Sequence, residues 1–519
     1  MIEKYLNNRF LTLYFWPFTL GSLTVFSFQP FNFLLINFFV LPLFFYLIVF
    51  INKKSKSIYR KKPYKKNLFI CGTLFGFAYF LSGIHWIVFS LTFDDSFKVL
   101  IPFGLILIPL FLSLFFSIPV LLVGPFLKLN LSSIFLFSGI LAFADYLRAN
   151  ILTGFPWNLW AYSFSWATEI LQILNVSGFF AFNLFAITIF TLPVIILFKL
   201  NLKRKIILTL SVITIFLSLY IYGNHSINLN QKKLPMIENK FNIKVISPNF
   251  DLEYGLSTEK IQSRLRKLIR YSDPQNDLKT LFVWPEGVFS GYSFEEIYKL
   301  KKTISDNFDQ NHYILLGINR SDENGVGFYN SIIVINNQME ILQEYKKIKL
   351  VPFGEFLPFE NYLNKIGLKK ITEGHGSFLK GSDAKNLLLE QLNILPLICY
   401  EIIFSKFVQQ SFDETNLVIN ISEDGWFGNS IGPYQHFAKG IFRAIEQNSY
   451  LIRSANKGIS AIINNKGEIV KKLNINETGN IQLEVPLVNN KNKNKNKNDL
   501  IFFILLFTYI LFFRIYYKK

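Results

Sequence analysis

Three side chains could between them open an acyl bond. Cys399 closes the apolar run NILPLI (393–398) and is one of two cysteines in 519 residues. Glu286 follows FVWP (282–285), and Lys347 lies just past QEY (343–345). A thiolate attacks a carbonyl far better than a thiol, so a nucleophilic cysteine needs a proton acceptor. A glutamate between Pro285 and Gly287, pressed against a sheet edge, has its pKa raised by partial burial and suits that role. A fixed cation in a water-poor pocket stabilises the oxyanion of the tetrahedral intermediate. Each residue also has an ordinary reading. Cysteine is a common small core hydrophobe, a glutamate in PEG is a turn residue, and YKKIK (345–349) offers three lysines. Strand alternation there puts Lys347 and Lys349 on one face and Lys346 on the other, which does not choose among them.

These residues lie in a region built to position them. From 241 onward short β-rich runs recur at 241–250, 280–289, 312–320, 329–337, 393–401 and 415–423, with helical patterns at 258–271 and 294–308 between some of them. Alternating strands and helices predict a layered α/β domain with a buried sheet, and such sheets place chemistry just beyond the carboxyl ends of their strands. The domain is expected over 223–488, and NNKNKNKNKND (489–499) reads as a charged, low-complexity linker.

The rest of the chain is of another kind. It is 51% hydrophobic with 58 Phe, yet carries a formal net charge of +19. The excess sits largely in short loops between apolar runs, which points to a membrane rather than to nucleic acid. A span needs roughly 20 apolar residues, and eight candidates lie near 10–27, 31–51, 68–91, 99–126, 131–147, 177–199, 205–222 and 500–517. This predicts a seven-helix membrane region (1–222) and a C-terminal helix with a basic tail (500–519). The first run has no small-x-small cleavage site after it and reads as retained. The 51–67 loop holds eight Lys/Arg and no acid, whereas TFDDSFK (92–98) is acidic. The positive-inside tendency then puts both termini in the cytoplasm and 223–499 outside it. The other cysteine, Cys71, lies in the third span, so Cys399 has no disulfide partner there. Five His show no metal-ligand spacing; His375 and His436 read either as neighbours of the site or, the preferred reading, as satisfied structural residues.

YKKIKLVPFGEFLPFE (345–360), WPEG (284–287) and CYE (399–401) together resemble the nitrilase superfamily, and LVPFGE narrows the resemblance to its membrane branch, the apolipoprotein N-acyltransferases. FYNSI (328–332), the block 420–463 and YLRANILTGFPWNLWAYS (146–163) extend it along nearly the whole chain. The resemblance implies a polytopic helical bundle plus an extracytoplasmic α/β nitrilase-like domain, an αββα sandwich, in a bacterial inner membrane with that domain on the periplasmic side. It makes Glu286 the general base, Lys347 the oxyanion lysine and Cys399 the nucleophile. Supporting roles fall to Glu355, Glu401, Asn330 and Tyr400, the last through a backbone N–H.

The implied reaction moves a fatty acyl chain from a phospholipid to the amino group of a diacylglyceryl-cysteine on an apolipoprotein, through a thioester and without metal, cofactor or nucleic acid. Phe353, Phe356 and Leu357, with Phe359, read as an interfacial lid or as core. Trp157 reads as aromatic belt or lipid entrance, and Arg148 as a phosphate contact or a snorkelling side chain. The pattern departs from the family at Ser247, at Glu253-Tyr254 where a Lys-Trp pair is usual, and at Glu423 where Asn is more frequent. Tyr254 would then stand in as the amphipathic aromatic at the lipid entrance. Two rivals are a membrane-anchored amidohydrolase with water as acceptor and a transporter, the latter disfavoured by spans almost free of ionisable residues.

Overall fold

The computed structural model describes residues 6–55, 63–234, 240–253, 255–276, 278–325, 327–363, 377–411, 414–488 and 497–517. It divides into two compact units, Met1–His225 with Asn496–Lys519, and Ser226–Lys495.

Among the described residues, seven helices are long and apolar enough to cross a membrane: Leu34–Lys54, Lys65–Thr92, Asp95–Phe126, Leu131–Asn150, Phe179–Leu197, Leu202–Lys233 and Lys497–Tyr516. The run expected as a first span is helical but broken into Leu11–Phe15, Trp16–Leu23 and Thr24–Ser27. The helix expected to stop at 222 continues to Lys233 through polar residues, because hydropathy marks where a span leaves the apolar layer and not where its hydrogen-bond ladder ends. Backbones approach closely where side chains are small. A Cβ on Gly72 would lie 2.7 Å from Ser117 Cα, and one on Gly76 2.9 Å from Ser113 Cα, a small-xxx-small contact of the kind that joins membrane helices.

Arg148 and Trp157, expected at a lipid entrance, are both buried within the helical unit. Arg148 Nη2 donates to Asp145 Oδ1 at 2.9 Å, and Nη1 donates to the carbonyls of Phe155 (2.6 Å) and Trp157 (2.9 Å). Asp145 Oδ2 accepts from Asn183 Nδ2 at 2.9 Å. A buried cation needs paired acceptors, and among the described residues Asp145 and two carbonyls supply them.

The second unit is a sandwich of two six-stranded sheets. The strands are β1 Lys240–Ser247, β2 Thr280–Val283, β3 His312–Ser321, β4 Phe328–Ile335, β5 Ile341–Lys346, β6 Leu387–Leu389, β7 Leu392–Ile398, β8 Leu417–Glu423, β9 Tyr450–Asn456, β10 Ser460–Ile463, β11 Ile469–Leu473 and β12 Gly479–Pro486. Their orders are β12-β1-β2-β3-β4-β5 and β11-β10-β9-β8-β7-β6. Each sheet has a parallel trio at its centre, β1-β2-β3 or β7-β8-β9, flanked by antiparallel strands. The sheets meet face to face, with Ser454 Oγ on β9 donating to the Ile246 carbonyl on β1 at 2.8 Å. Helices Thr258–Ser272 and Gly432–Gln447 pack against β1 and β9, giving the αββα layering.

Fully buried β2 and β8, TLFV and LVINISE, show why centre strands read as apolar runs. Trp284 caps the β2 end. It is buried, sits edge-on to Phe289 and Phe308, and donates from Nε1 to Ser272 Oγ at 3.0 Å. Removing it leaves both a cavity and an unmatched Ser272 hydroxyl. Trp284→Ala should lower stability by about 3–5 kcal/mol, read as a drop in the thermal midpoint of this unit; an unchanged midpoint would mean that Trp284 is not a core residue.

Candidate active site

The strand ends carrying the three reactive side chains are brought together. At the end of β2, Trp284 N still bonds the Leu315 carbonyl at 2.9 Å, but Pro285 has no N–H and pairing stops. Gly287 then turns the chain at φ +78, and a Cβ there would sit 2.6 Å from Glu423 Oε2. Only glycine fits this turn, and the turn leaves Glu286 aimed inward. Its Oε1 accepts from Asn330 Nδ2 at 2.7 Å and its Oε2 from the Glu423 backbone N–H at 3.0 Å.

Lys347 follows β5. Its N–H donates to the Asn330 carbonyl at 2.9 Å and its carbonyl accepts from Gly381 N at 2.8 Å. The side chain is 1% exposed. Nζ donates to Glu355 Oε1 at 2.8 Å and stands 3.9 Å from Glu286 Oε1. An ammonium has three donors, and among the described residues Glu355 takes one, which leaves donors for an incoming oxyanion. Glu355 is fixed in turn by the N–H of Val351 (2.8 Å, to Oε2) and by Asn330 Nδ2 (2.8 Å, to Oε1). Asn330 therefore spends both amide hydrogens on spacing the two carboxylates around one cation.

Cys399 opens a tight 3-10 turn, Cys399–Ile403, after β7, with φ +47. A non-glycine residue in the left-handed region is strained, and such strain is held where the surroundings over-determine it. Glu401 is one such constraint. Fully buried, its Oε1 accepts from Tyr345 Oη (2.8 Å), Ile348 N (2.8 Å) and Lys349 N (3.0 Å), and its Oε2 from Ile398 N (2.9 Å). One carboxyl thus ties the segment bearing Lys347 to the turn bearing Cys399. Tyr400 is buried, its ring edge-on to Phe404. Among the lid residues Leu357 is buried and Phe356 half-buried, while Phe353 and Phe359 are exposed, Phe359 at 77%. Tyr254 lies outside the described residues, as do His375 and residues 364–370 of that loop.

The electrostatics follow from burial and from counting charges. Burial alone would lower the Lys347 pKa, but Glu355 first and then Glu286 outweigh it, so the ammonium stays charged. Burial raises the Glu286 carboxyl above its usual range; Lys347 opposes this and Glu355 adds to it. The Cys399 thiol is pushed well up by burial and then by Glu286, with Lys347 only partly offsetting them. A thiol held above its ordinary pKa and a carboxyl made more basic than usual together suit transfer of the thiol proton to Glu286.

Of the groups behind this layer, sequence reasoning named Glu423 only as a departure from the family pattern and His436 only as a structural histidine, and it missed Asp424 and Arg453. Glu423 gives Glu286 a backbone N–H, while its own side chain, pushed up to about 8 chiefly by burial, accepts from Gly425 N (2.8 Å) and Asn456 Nδ2 (2.7 Å). His436, Asp424 and Arg453 form a buried cluster against the Cys399 carbonyl. The available signal was charged residues inside otherwise apolar elements of 420–463.

Comparisons with known proteins place the chain in a family. Residues 20–192 match the family model described as the apolipoprotein N-acyltransferase N-terminal domain, and residues 272–491 match carbon-nitrogen hydrolase. The chain is 30% identical over 479 residues to the apolipoprotein N-acyltransferase of Rhizobium leguminosarum bv. trifolii, covering 90% of this chain and 88% of that one. It is 30% identical over 481 residues to that of Rhodopseudomonas palustris, with the same coverage of 90% and 88%. Among solved structures, Saccharomyces cerevisiae Nit3, a member of branch 10 of the nitrilase superfamily, aligns at 16% identity and TM-score 0.35 over 48% of this chain and 92% of that one.

The raised thiol pKa sets a pH test. An ordinary thiol is half ionised near pH ~8.5, so Cys399, with its pKa raised, should react with iodoacetamide at a rate still climbing above that pH. Labelling of the Cys399 peptide, followed by mass spectrometry across pH, measures this. A plateau below pH ~8 would show a resting thiolate–lysine pair instead.

Proposed function

The chain belongs to the apolipoprotein N-acyltransferase family, and on that premise we propose that it carries a fatty acyl chain from a phospholipid, by way of Cys399, to the N-terminal amino group of a diacylglyceryl-cysteine on a lipoprotein. The observation that supports this reading best is the buried array of Glu286, Asn330, Glu355 and Lys347 beside a cysteine held in a strained turn.

Glu286 takes the thiol proton as the sulfur attacks the ester carbonyl. Negative charge develops on the carbonyl oxygen, where the free N–H groups of Lys347 and a backbone N–H of the Cys399 turn receive it. Collapse expels the lysophospholipid oxygen, which recovers the proton from Glu286, and a thioester remains. The incoming amine then attacks and gives its proton to Glu286. The second intermediate expels the Cys399 sulfur, which is reprotonated by Glu286. Every proton moves through one carboxyl, which is why its pKa must sit above the usual carboxylate range. Asn330 and Glu355 hold that carboxyl and Lys347 apart, and Glu401 keeps the lysine and the sulfur in register.

Both substrates carry acyl chains whose removal from lipid costs about 0.8 kcal/mol per CH₂, which favours a membrane enzyme. The exposed Phe353 and Phe359 lie on the loop that also supplies Glu355. We assign this loop, with Tyr254, to the acyl-chain path. The basic 51–67 loop and acidic 92–98 loop favour a periplasmic catalytic unit and cytoplasmic termini.

A hydrolase with the same three residues would hand the chain to water. The test is to supply phospholipid labelled in its acyl chain together with a diacylated lipopeptide. Label is expected on the peptide amine, and in Cys399→Ala or Glu286→Gln the rate should fall at least ~10³-fold. Release of the label as free fatty acid, with the peptide unlabelled, would make the protein an amidohydrolase-type enzyme instead.

A further inference from the structure

The Cys399 carbonyl is bound from behind by a cluster of buried charged groups that the acyl-transfer steps above do not use. His436 sits on helix Gly432–Gln447, Asp424 in the turn after β8 and Arg453 in the middle of β9, and all three are essentially inaccessible. His436 Nε2 lies 3.2 Å from the Cys399 carbonyl oxygen. His436 Nδ1 lies 2.9 Å from Asp424 Oδ1 and 3.1 Å from Arg453 Nη2. Arg453 Nη2 donates to Asp424 Oδ2 at 2.7 Å, and Ser422 Oγ donates to Asp424 Oδ1 at 2.7 Å. Arg453 Nη1 also bonds Asn420 Oδ1.

This arrangement decides where the imidazole proton sits. A carbonyl oxygen only accepts, so Nε2 must carry hydrogen to bond Cys399. With hydrogen on Nε2 alone, Nδ1 accepts from Arg453 but turns its lone pair toward Asp424 Oδ1 at 2.9 Å. In the charged ring both nitrogens carry hydrogen and Nδ1 donates to Asp424. The remaining form, neutral with hydrogen on Nδ1, satisfies Asp424 but sets a lone pair against the Cys399 carbonyl. Burial, and after it Arg453, hold the His436 pKa below its ordinary value, with Asp424 opposing. Asp424 itself stays ionised, because Arg453 and His436 outweigh the burial that would raise it.

We propose that His436 is a positioning residue for the acyl-transfer nucleophile: its Nε2–H grips the Cys399 carbonyl and holds the left-handed turn that aims the sulfur, while Asp424 and Arg453, both at Nδ1, hold the ring in place. This rests on the assignment of Cys399 as nucleophile. Ile398 N bonded to Glu401 fixes the turn on its other side, so the strained residue is gripped before and after its Cα. The parallel register of Ile398 with Ile421 also brings Ser422, already tied to Asp424, level with Cys399.

The amide nitrogen of glutamine falls close to where Nε2 stands, whereas asparagine reaches only the Nδ1 position. In the full-length membrane-embedded enzyme, His436→Gln should keep kcat within about threefold of wild type, and His436→Asn should lose on the order of 10²-fold in kcat with KM changed less than about twofold. The pH profile of His436→Gln should overlay that of wild type, since the role does not depend on titration. Equal kcat for the two variants overturns the proposal. Should His436→Asn fail to fold, nitrogen-15 NMR of histidine-labelled wild type decides: a His436 signal from the Nε2–H tautomer or the imidazolium supports the proposal, and the Nδ1–H tautomer overturns it. Cys399→Ala runs alongside. Activity surviving there would sink the nucleophile assignment itself, while equal Gln and Asn variants with an inactive Cys399→Ala would remove only the role of His436.

Discussion

One buried ammonium constrains this site more than any other group. Taking a charge out of water costs several kcal/mol unless it is paired and hydrogen-bonded, and Lys347 is almost completely enclosed. Its bond to Glu355 meets that requirement, and Glu286 close by completes it. Two carboxylates around one cation would then repel each other, and Asn330 answers by donating one amide hydrogen to each. The positions of β4, of the 351–357 loop and of the turn after β2 all follow from this one balance. An excess of one carboxylate is also what chemistry at a thiol requires, since one acid must be free to take up and return a proton while the other keeps the lysine charged.

A second constraint works through the backbone. Cys399 occupies a conformation that its side chain disfavours, so the turn needs external bonds, and Glu401 supplies them from the lysine segment. The proposed base, cation and nucleophile thus come from strand ends far apart in sequence. They are held by carboxyl groups whose main work is to accept N–H donors rather than to react. Glu423 belongs to this class through its carboxyl, which accepts from Gly425 N and Asn456 Nδ2, while its backbone N–H donates to Glu286.

Much of this was legible in the chain, for stated physical reasons. Apolar runs ending in Glu286 and Cys399 announced buried strands, since residues hidden on both faces must be hydrophobic throughout. The choice of Lys347 over Lys346 and Lys349 was not legible from alternation; it came from the resemblance, and packing gives it a reason, because only Lys347 finds two carboxylates. Strands β6, β9, β10, β11 and β12 went unread. Arg453 interrupts β9 and looks like a surface residue until Asp424 and Asn420 are seen to pair it. Lys471 and Lys472 disguise the exposed edge strand β11. β12 pairs with β1, from Lys240↔Pro486 to Ser247↔Gly479, and no local periodicity reveals so distant a partner. Arg148 and Trp157 looked like membrane-interface residues because their types are common there, yet the partner that enclosed the arginine, Asp145, was itself visible as the one acid in an apolar helix.

The account comes down to whether the fatty chain is carried on Cys399. The most direct measurement is the mass of the Cys399 peptide after the enzyme is incubated with phospholipid and no acceptor. The account predicts a gain equal to one fatty acyl group, removed by hydroxylamine and absent when Glu286 is replaced by glutamine. An unmodified Cys399 peptide from enzyme that still acylates lipopeptide on later addition, or the acyl group found on another residue, would contradict it.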